Sequence, residues 1–140
     1  MMRTLSLVPL LLVMAASPAA AQQGSPEPRA ISIGQRVVSQ LDASDPKLED
    51  NSYHEIWSFQ ARAGQLLIIS MGSDDFDTFL SLGRMVDGQF REITSNDDSL
   101  QSTDSSIEIR VKQDGTYVIR SNSFGEGESG QYSLLVFEAP

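Results

Sequence analysis

The residues able to do chemistry in this chain are mostly aspartates, and they come in groups. The stretch "SDDFDTFLSL", residues 73–82, sets Asp74, Asp75 and Asp77 around Phe76, ahead of an alternating apolar run. "SNDDS" at 95–99 adds Asn96, Asp97 and Asp98, and Asp104 follows. Two kinds of chemistry suit such clusters. Calcium takes about six to eight oxygen ligands, mostly carboxylate and carbonyl, so Asp75, Asp77, Asp97 and Asp98 are candidate ligands if neighbouring loops converge. No D-x-[DN]-x-[DN]-G run is present, which excludes an EF-hand loop. The alternative is structural, because Asp and Asn side chains accept hydrogen bonds from backbone amides two residues on and so close turns. Asp77, Asn96, Asp97 and Asp98 are read in this way. Asp77 lies inside the alternating run and is expected to be buried with hydrogen-bond partners. The turn reading is preferred, so no metal ligand or cofactor is assigned and calcium stays an alternative.

Catalysis finds little to stand on. The one histidine, His54 in "YHEIW", alternates with Tyr53 and Glu55 and is expected at a surface or edge, facing away from Trp57. The chain has no cysteine, so a Cys–His nucleophile is impossible, and no serine sits in a G-x-S-x-G elbow. "SDPK" at 44–47 has S-x-x-K spacing but lies in a proline-containing loop without partner motifs. "GEGESG" at 125–130 formally matches G-x-G-x-x-G. The dinucleotide fingerprint needs a strand before it and a helix after it, whereas a strand follows here, and Glu126 and Glu128 repel phosphate. No catalytic residue is assigned. Trp57, Phe59, Tyr117 and Tyr132 fall on strands and read as core. Phe124 lies in a Gly/Ser/Glu loop and is the candidate contact for a sugar or a polypeptide.

These residues must be positioned by an exported β-domain. Arg3, the apolar run "LSLVPLLLVMAA" and the small-residue "SPAAA" make residues 1–21 a signal peptide, cut before Gln22 by the A-x-A rule at Ala19 and Ala21. No cysteine follows that run, so no lipoprotein anchor is expected, and the destination is the periplasm or the extracellular medium. The cut leaves nine basic against 19 acidic residues, a net charge of −10. Such a surface repels nucleic acid and anionic membranes, and no membrane insertion is expected after cleavage. Residues 22–30, "QQGSPEPRA", read as a flexible leader. From residue 31 to 139, short alternating runs are separated by turn residues, the pattern of an all-β domain.

About eight strands are expected, with no helical-period segment. "ISIGQRVVSQL" carries a bend at Gly34, and Asp87-Gly88 is a strong hairpin signal. "YHEIWSFQA" and "QLLIISM", separated by Ala63-Gly64, are expected to form a second hairpin. "SSIEIRV" points Ile107, Ile109 and Val111 inward. Burying one face of each strand calls for an antiparallel β-sandwich or jelly-roll-like fold.

In order, "IGQRVVSQL", "YHEIWSFQARAGQLLIISM", "SDDFDTFLSL", "NDDS", "SSIEIRV", "GTYVIRS" and "GQYSLLV" resemble the bacterial pre-peptidase C-terminal domain, a small β-sandwich appended to secreted peptidases. The resemblance runs from about Ile31 to Glu138. It implies no catalytic residues and roles in secretion, removal during maturation, or attachment to substrates such as collagen or polysaccharide. Here the signal peptide runs almost straight into the domain, so no peptidase activity is expected. Collagen-binding relatives hold calcium through an acidic, Asn-Asp-containing segment ahead of the sandwich and aspartates near the second strand. In this chain the matching "SPEPRAISIG" offers only Glu27, and "LEDNSYHEIW" offers Glu49, Asp50 and Glu55, so that site is not carried over. The expectation is a non-catalytic accessory or binding module for a protein or polysaccharide. A calcium-stabilised extracellular module is the alternative, and a small hydrolase comes last.

Overall fold

The period-two alternation folds into strands as expected. The computed structural model describes residues 26–97 and 102–140, so the expected signal peptide and its expected cleavage site lie outside the described residues. The described residues form nine strands and no helix: β1 (Arg29–Ala30), β2 (Arg36–Leu41), β3 (His54–Ala61), β4 (Leu66–Gly72), β5 (Thr78–Val86), β6 (Gln89–Asn96), β7 (Ser105–Arg110), β8 (Gly115–Ser123) and β9 (Gly130–Glu138). One sheet has the order β1-β3-β8-β5-β6 and the other β2-β9-β4-β7. Every pairing is antiparallel except β1 with β3. The result is a β-sandwich.

The inner faces supply the core. Trp57, Phe59, Leu80, Leu82 and Ile119 of the first sheet meet Leu67, Ile69, Met71, Leu134 and Val136 of the second, all nearly or wholly buried. At about 25 cal/mol per Å2 of apolar surface removed from water, this layer is what holds the sheets together. Tyr117 and Tyr132 are buried with it, and Phe76 packs edge-on against Tyr132.

Three expectations are corrected. Ala63-Gly64 does not close a hairpin. β3 pairs with β1 and β8 while β4 pairs with β7 and β9, so this turn is an arch from one sheet to the other. Trp57 and Phe59 therefore face Leu67 and Ile69 across the core and do not lie beside them. Asp87-Gly88 does close the β5–β6 hairpin, with φ of 51° and 75° as a type I′ turn requires. It is the only connection between successive described strands that stays within one sheet. Gly34 ends up ahead of β2 with φ of 91°, in a turn and not within a strand.

The third correction concerns the leader. Its last two residues form β1, parallel to Trp57–Ser58 of β3. Arg29 fixes this strand by more than backbone pairing. Its guanidinium stacks 4.2 Å from the Trp57 ring centroid and is salt-bridged to Glu55. Glu55 lies on the inner face, and its Oε1 also accepts from the Ser39 hydroxyl at 2.8 Å and the Tyr132 hydroxyl at 3.2 Å. Trp57 Nε1 donates to the Tyr132 oxygen at 2.9 Å. Burial, followed by the Glu55 charge, pushes the Tyr132 phenol far above its ordinary pKa, so it stays a donor. A buried carboxylate is tolerated where its oxygens are saturated in this way.

Candidate binding surface

The strands deliver four loops to one end of the sandwich: 42–53, 73–77, the one between β6 and β7 (described at 97 and 102–104) and 124–129. Three of these loops carry the aspartate groups. The first holds Asp42, Asp45, Glu49 and Asp50, the second Asp74, Asp75 and Asp77, and the described part of the third Asp97 and Asp104. The last adds Glu126 and Glu128, so among the described residues this end bears eleven of the chain's 19 acidic residues, with Lys47 its single Lys or Arg. The opposite end and its flanking strand ends carry Arg62, Arg84, Arg91, Arg110 and Lys112 against Asp87, Glu92, Glu108, Asp114 and Glu138, and so come close to neutral. The molecule is electrically polarised along its strands.

Hydrogen bonds hold the acidic end in place. Ser73 Oγ donates to the Gln131 carbonyl at 2.7 Å, and Asp75 Oδ2 accepts from the Gln131 amide at 2.8 Å, clamping loop 73–77 to the start of β9. Asp104 Oδ1 accepts from the Ser73 amide at 3.2 Å. Ser105 Oγ bridges the carbonyls of Thr78 and Asp97 at 2.9 and 3.0 Å. Hydrogen bonds from Ser44 and Ser52, side chain first and then amide, hold the Asp42 and Asp50 carboxyls below their usual pKa. Burial pushes Asp45 the other way.

Against this frame the sequence-chosen aspartates divide. Asp75 fastens a loop through its side chain. Asp77 does not, because its side chain is exposed and accepts no hydrogen bond among the described residues. Only its backbone carbonyl is used, by the Phe124 amide at 2.8 Å. The expected burial of Asp77 is thus corrected: it lies between buried Phe76 and Thr78, and its side chain turns the other way, to solvent. Asn96 Nδ2 donates to the Ser106 carbonyl at 2.9 Å. Asp97 contributes its carbonyl to Ser105, and Asp98 lies outside the described residues. Among the described residues no three of the His, Cys, Asp and Glu side chains are grouped to hold a metal ion. Ser73 and Asp104 were missed as loop fasteners, since their partners are distant in sequence.

Phe124 is 57% exposed on loop 124–129, an unusual position for a phenylalanine. The loop is fixed beneath it. The Phe124 amide bonds to Asp77, Ser123 Oγ donates to the Gly125 carbonyl at 2.7 Å, and the Gly127 amide donates to the Asn51 carbonyl at 3.1 Å.

His54 opens β3 on the outer face of the five-stranded sheet, half-buried, and not on an exposed edge. Its Nδ1 is buried without a hydrogen-bond partner. Burial, then the positive charge of Arg120, lowers its pKa, so it is neutral at pH 7. No serine or carboxylate bonds to the imidazole among the described residues, so it forms no nucleophile–base pair.

No family model matches the chain, and no curated protein matches it in sequence. Solved structures do match. The pre-peptidase C-terminal domain of a collagenase from Bacillus anthracis aligns at 15% identity and TM-score 0.60, covering 80% of this chain and 96% of that one. Aeromonas hydrophila PliG, a periplasmic lysozyme inhibitor of g-type lysozyme, aligns at 14% identity and TM-score 0.56, covering 81% and 100%. At such identities the likeness shows the fold alone.

Proposed function

We propose that the protein is an exported, non-catalytic binding module that engages a polypeptide partner through its acidic loop end. Phe124 carries the reading: an aromatic ring held out to solvent by a hydrogen-bonded loop costs little further ordering when a partner covers it. The surrounding carboxylates favour a partner that presents Lys and Arg, and they speed its encounter. Two resemblances support this reading: the sequence motifs resemble a secreted accessory domain, and one fold neighbour is described as an inhibitor of another protein. His54 lacks the partners a general base needs, which supports a non-catalytic role.

The test compares columns carrying the wild type and Phe124→Ala, loaded with the exported fraction of the native cell. A polypeptide retained by the wild type, released by salt and lost from the variant column is the expected result. Equal retention on both columns overturns the reading. Retention of a glycan with no polypeptide replaces it with a polysaccharide-binding module.

A further inference from the structure

The opposite end of the sandwich carries a second and different surface. Among the described residues β7 pairs only with β4, leaving its other side open. Of the other three edges, β6 is broken by a bulge opposite Leu82/Gly83 and β1 is two residues long, while β2, paired only with β9, matches β7 in length but does not line the groove described next. The direction of the β7 backbone follows from its bonds. Val111 donates to the Gln65 carbonyl and accepts from the Gly64 amide, each at 2.8 Å, so the odd-numbered residues face the chain of β4. Antiparallel alternation then turns the amides and carbonyls of Glu108 and Arg110 to the open side. Ser106 has the same parity, and its carbonyl already takes an outside donor, Nδ2 of the Asn96 side chain.

Along this edge runs a groove of about 550 Å3, in the size range of ligand sites. Ile93, Ile109, Val111 and Tyr117 give it an apolar lining, and Ile93 is 50% exposed. Arg84, Arg110 and Lys112 stand around it. Arg84 stacks 5.0 Å from the Tyr117 centroid and donates to Gln113 Oε1, while Arg110 donates to the Gly64 carbonyl. Among the described residues none of these three cations is ion-paired, in a chain of net charge −9.

We propose that β7 accepts an added strand: an extended partner segment of alternating apolar and acidic residues pairs with the Glu108 and Arg110 backbone, its apolar side chains in the groove and its carboxylates against Arg110 and Lys112. Period-two alternation makes one segment satisfy both faces, because Ile109 and Val111 point inward where Glu108 and Arg110 point outward. Main-chain bonds supply affinity and the groove supplies selection. A carboxylate directly opposite Glu108 is repelled, which fixes the acidic positions at the Arg110 end.

The probe is a short synthetic peptide in which Val alternates with Glu at the positions meeting Arg110 and Lys112 and with Thr opposite Glu108, titrated into isotopically labelled full-length protein. Its counterpart carries Lys in place of Glu. The Glu108 and Arg110 amides gain exchange protection with the acidic peptide. The double variant Arg110→Glu, Lys112→Glu, altered only at exposed residues, binds that peptide about tenfold more weakly or worse and prefers the lysine peptide. N-methylating the peptide amides that face β7 abolishes binding. Phe124→Ala leaves it unchanged, separating this surface from the loop end. No binding at millimolar peptide, equal affinity for both peptides, or tolerance of N-methylation overturns the proposal.

Discussion

Two aspartates, two residues apart, show what a single side chain contributes here. Asp75 closes a bond to the Gln131 amide, while Asp77 is exposed and leaves its side chain unused. Asp77→Ala is therefore expected to change stability by no more than about 0.5 kcal/mol, and Asp75→Ala to cost about 1 kcal/mol. Denaturant unfolding of both variants checks the contrast, and a reversed order would mean that Asp77 has a partner. Composition could not separate the pair, since both sit in "DDFD" with the same local options. The partner that decides the matter lies 56 residues away. His54 offers a second residue-scale measurement. Its folded-state pKa lies below 6.5, chiefly through burial, so the unfolded chain takes up the proton first. Stability from this residue is complete above pH 6.5 and falls as acidification proceeds from there towards the folded-state pKa. Melting curves across pH should show the gap between wild type and His54→Gln constant above that value and narrowing below it. A constant gap throughout would mean that the imidazole titrates as it does in the unfolded chain.

At the scale of elements, the strands were legible because burial imposes a period of two, and their partners were not. "YHEIWSFQA" and "QLLIISM" flank a glycine turn just as two hairpin strands would, yet the turn carries the chain across the core. Local sequence encodes a reversal of direction but not the plane in which it happens. β1 was illegible for another reason. Two residues have no measurable period, and Arg29 is held by Glu55 and Trp57, which lie more than twenty positions further on. The β6 bulge has a sharper signature. A Cβ built on Gly83 meets the Arg91 carbonyl oxygen at 2.1 Å. Gly83→Ala must displace the β5–β6 pairing and is expected to cost about 1–3 kcal/mol. Thermal unfolding tests this, and an unchanged midpoint would show that the hairpin yields without loss.

Across the whole molecule, fold class and the acidic balance could be read from the chain, while the distribution of charge could not. Aspartates gather at one end because odd and even connections alternate between the two ends of a sandwich. The turns that return the chain at that end are the aspartate-rich ones. Arg84, Arg91, Arg110 and Lys112 look scattered along the sequence, and the β5–β6 hairpin with β7 brings them to the other end. The candidate surfaces divide along the same line. Phe124 announced itself as an aromatic among Gly, Ser and Glu, whereas the groove beside β7 is assembled from four strands and the connection after β7 and has no local signal.

That separation of charge gives the molecule a heading. Beside any wall of fixed negative charge it experiences a torque as well as a net push, and it settles like a compass needle, the near-neutral end down and the carboxylate-rich end outward. Screening confines the effect to within about 8 Å at physiological ionic strength. Inside that layer, Phe124 would point away from the wall, towards whatever diffuses past.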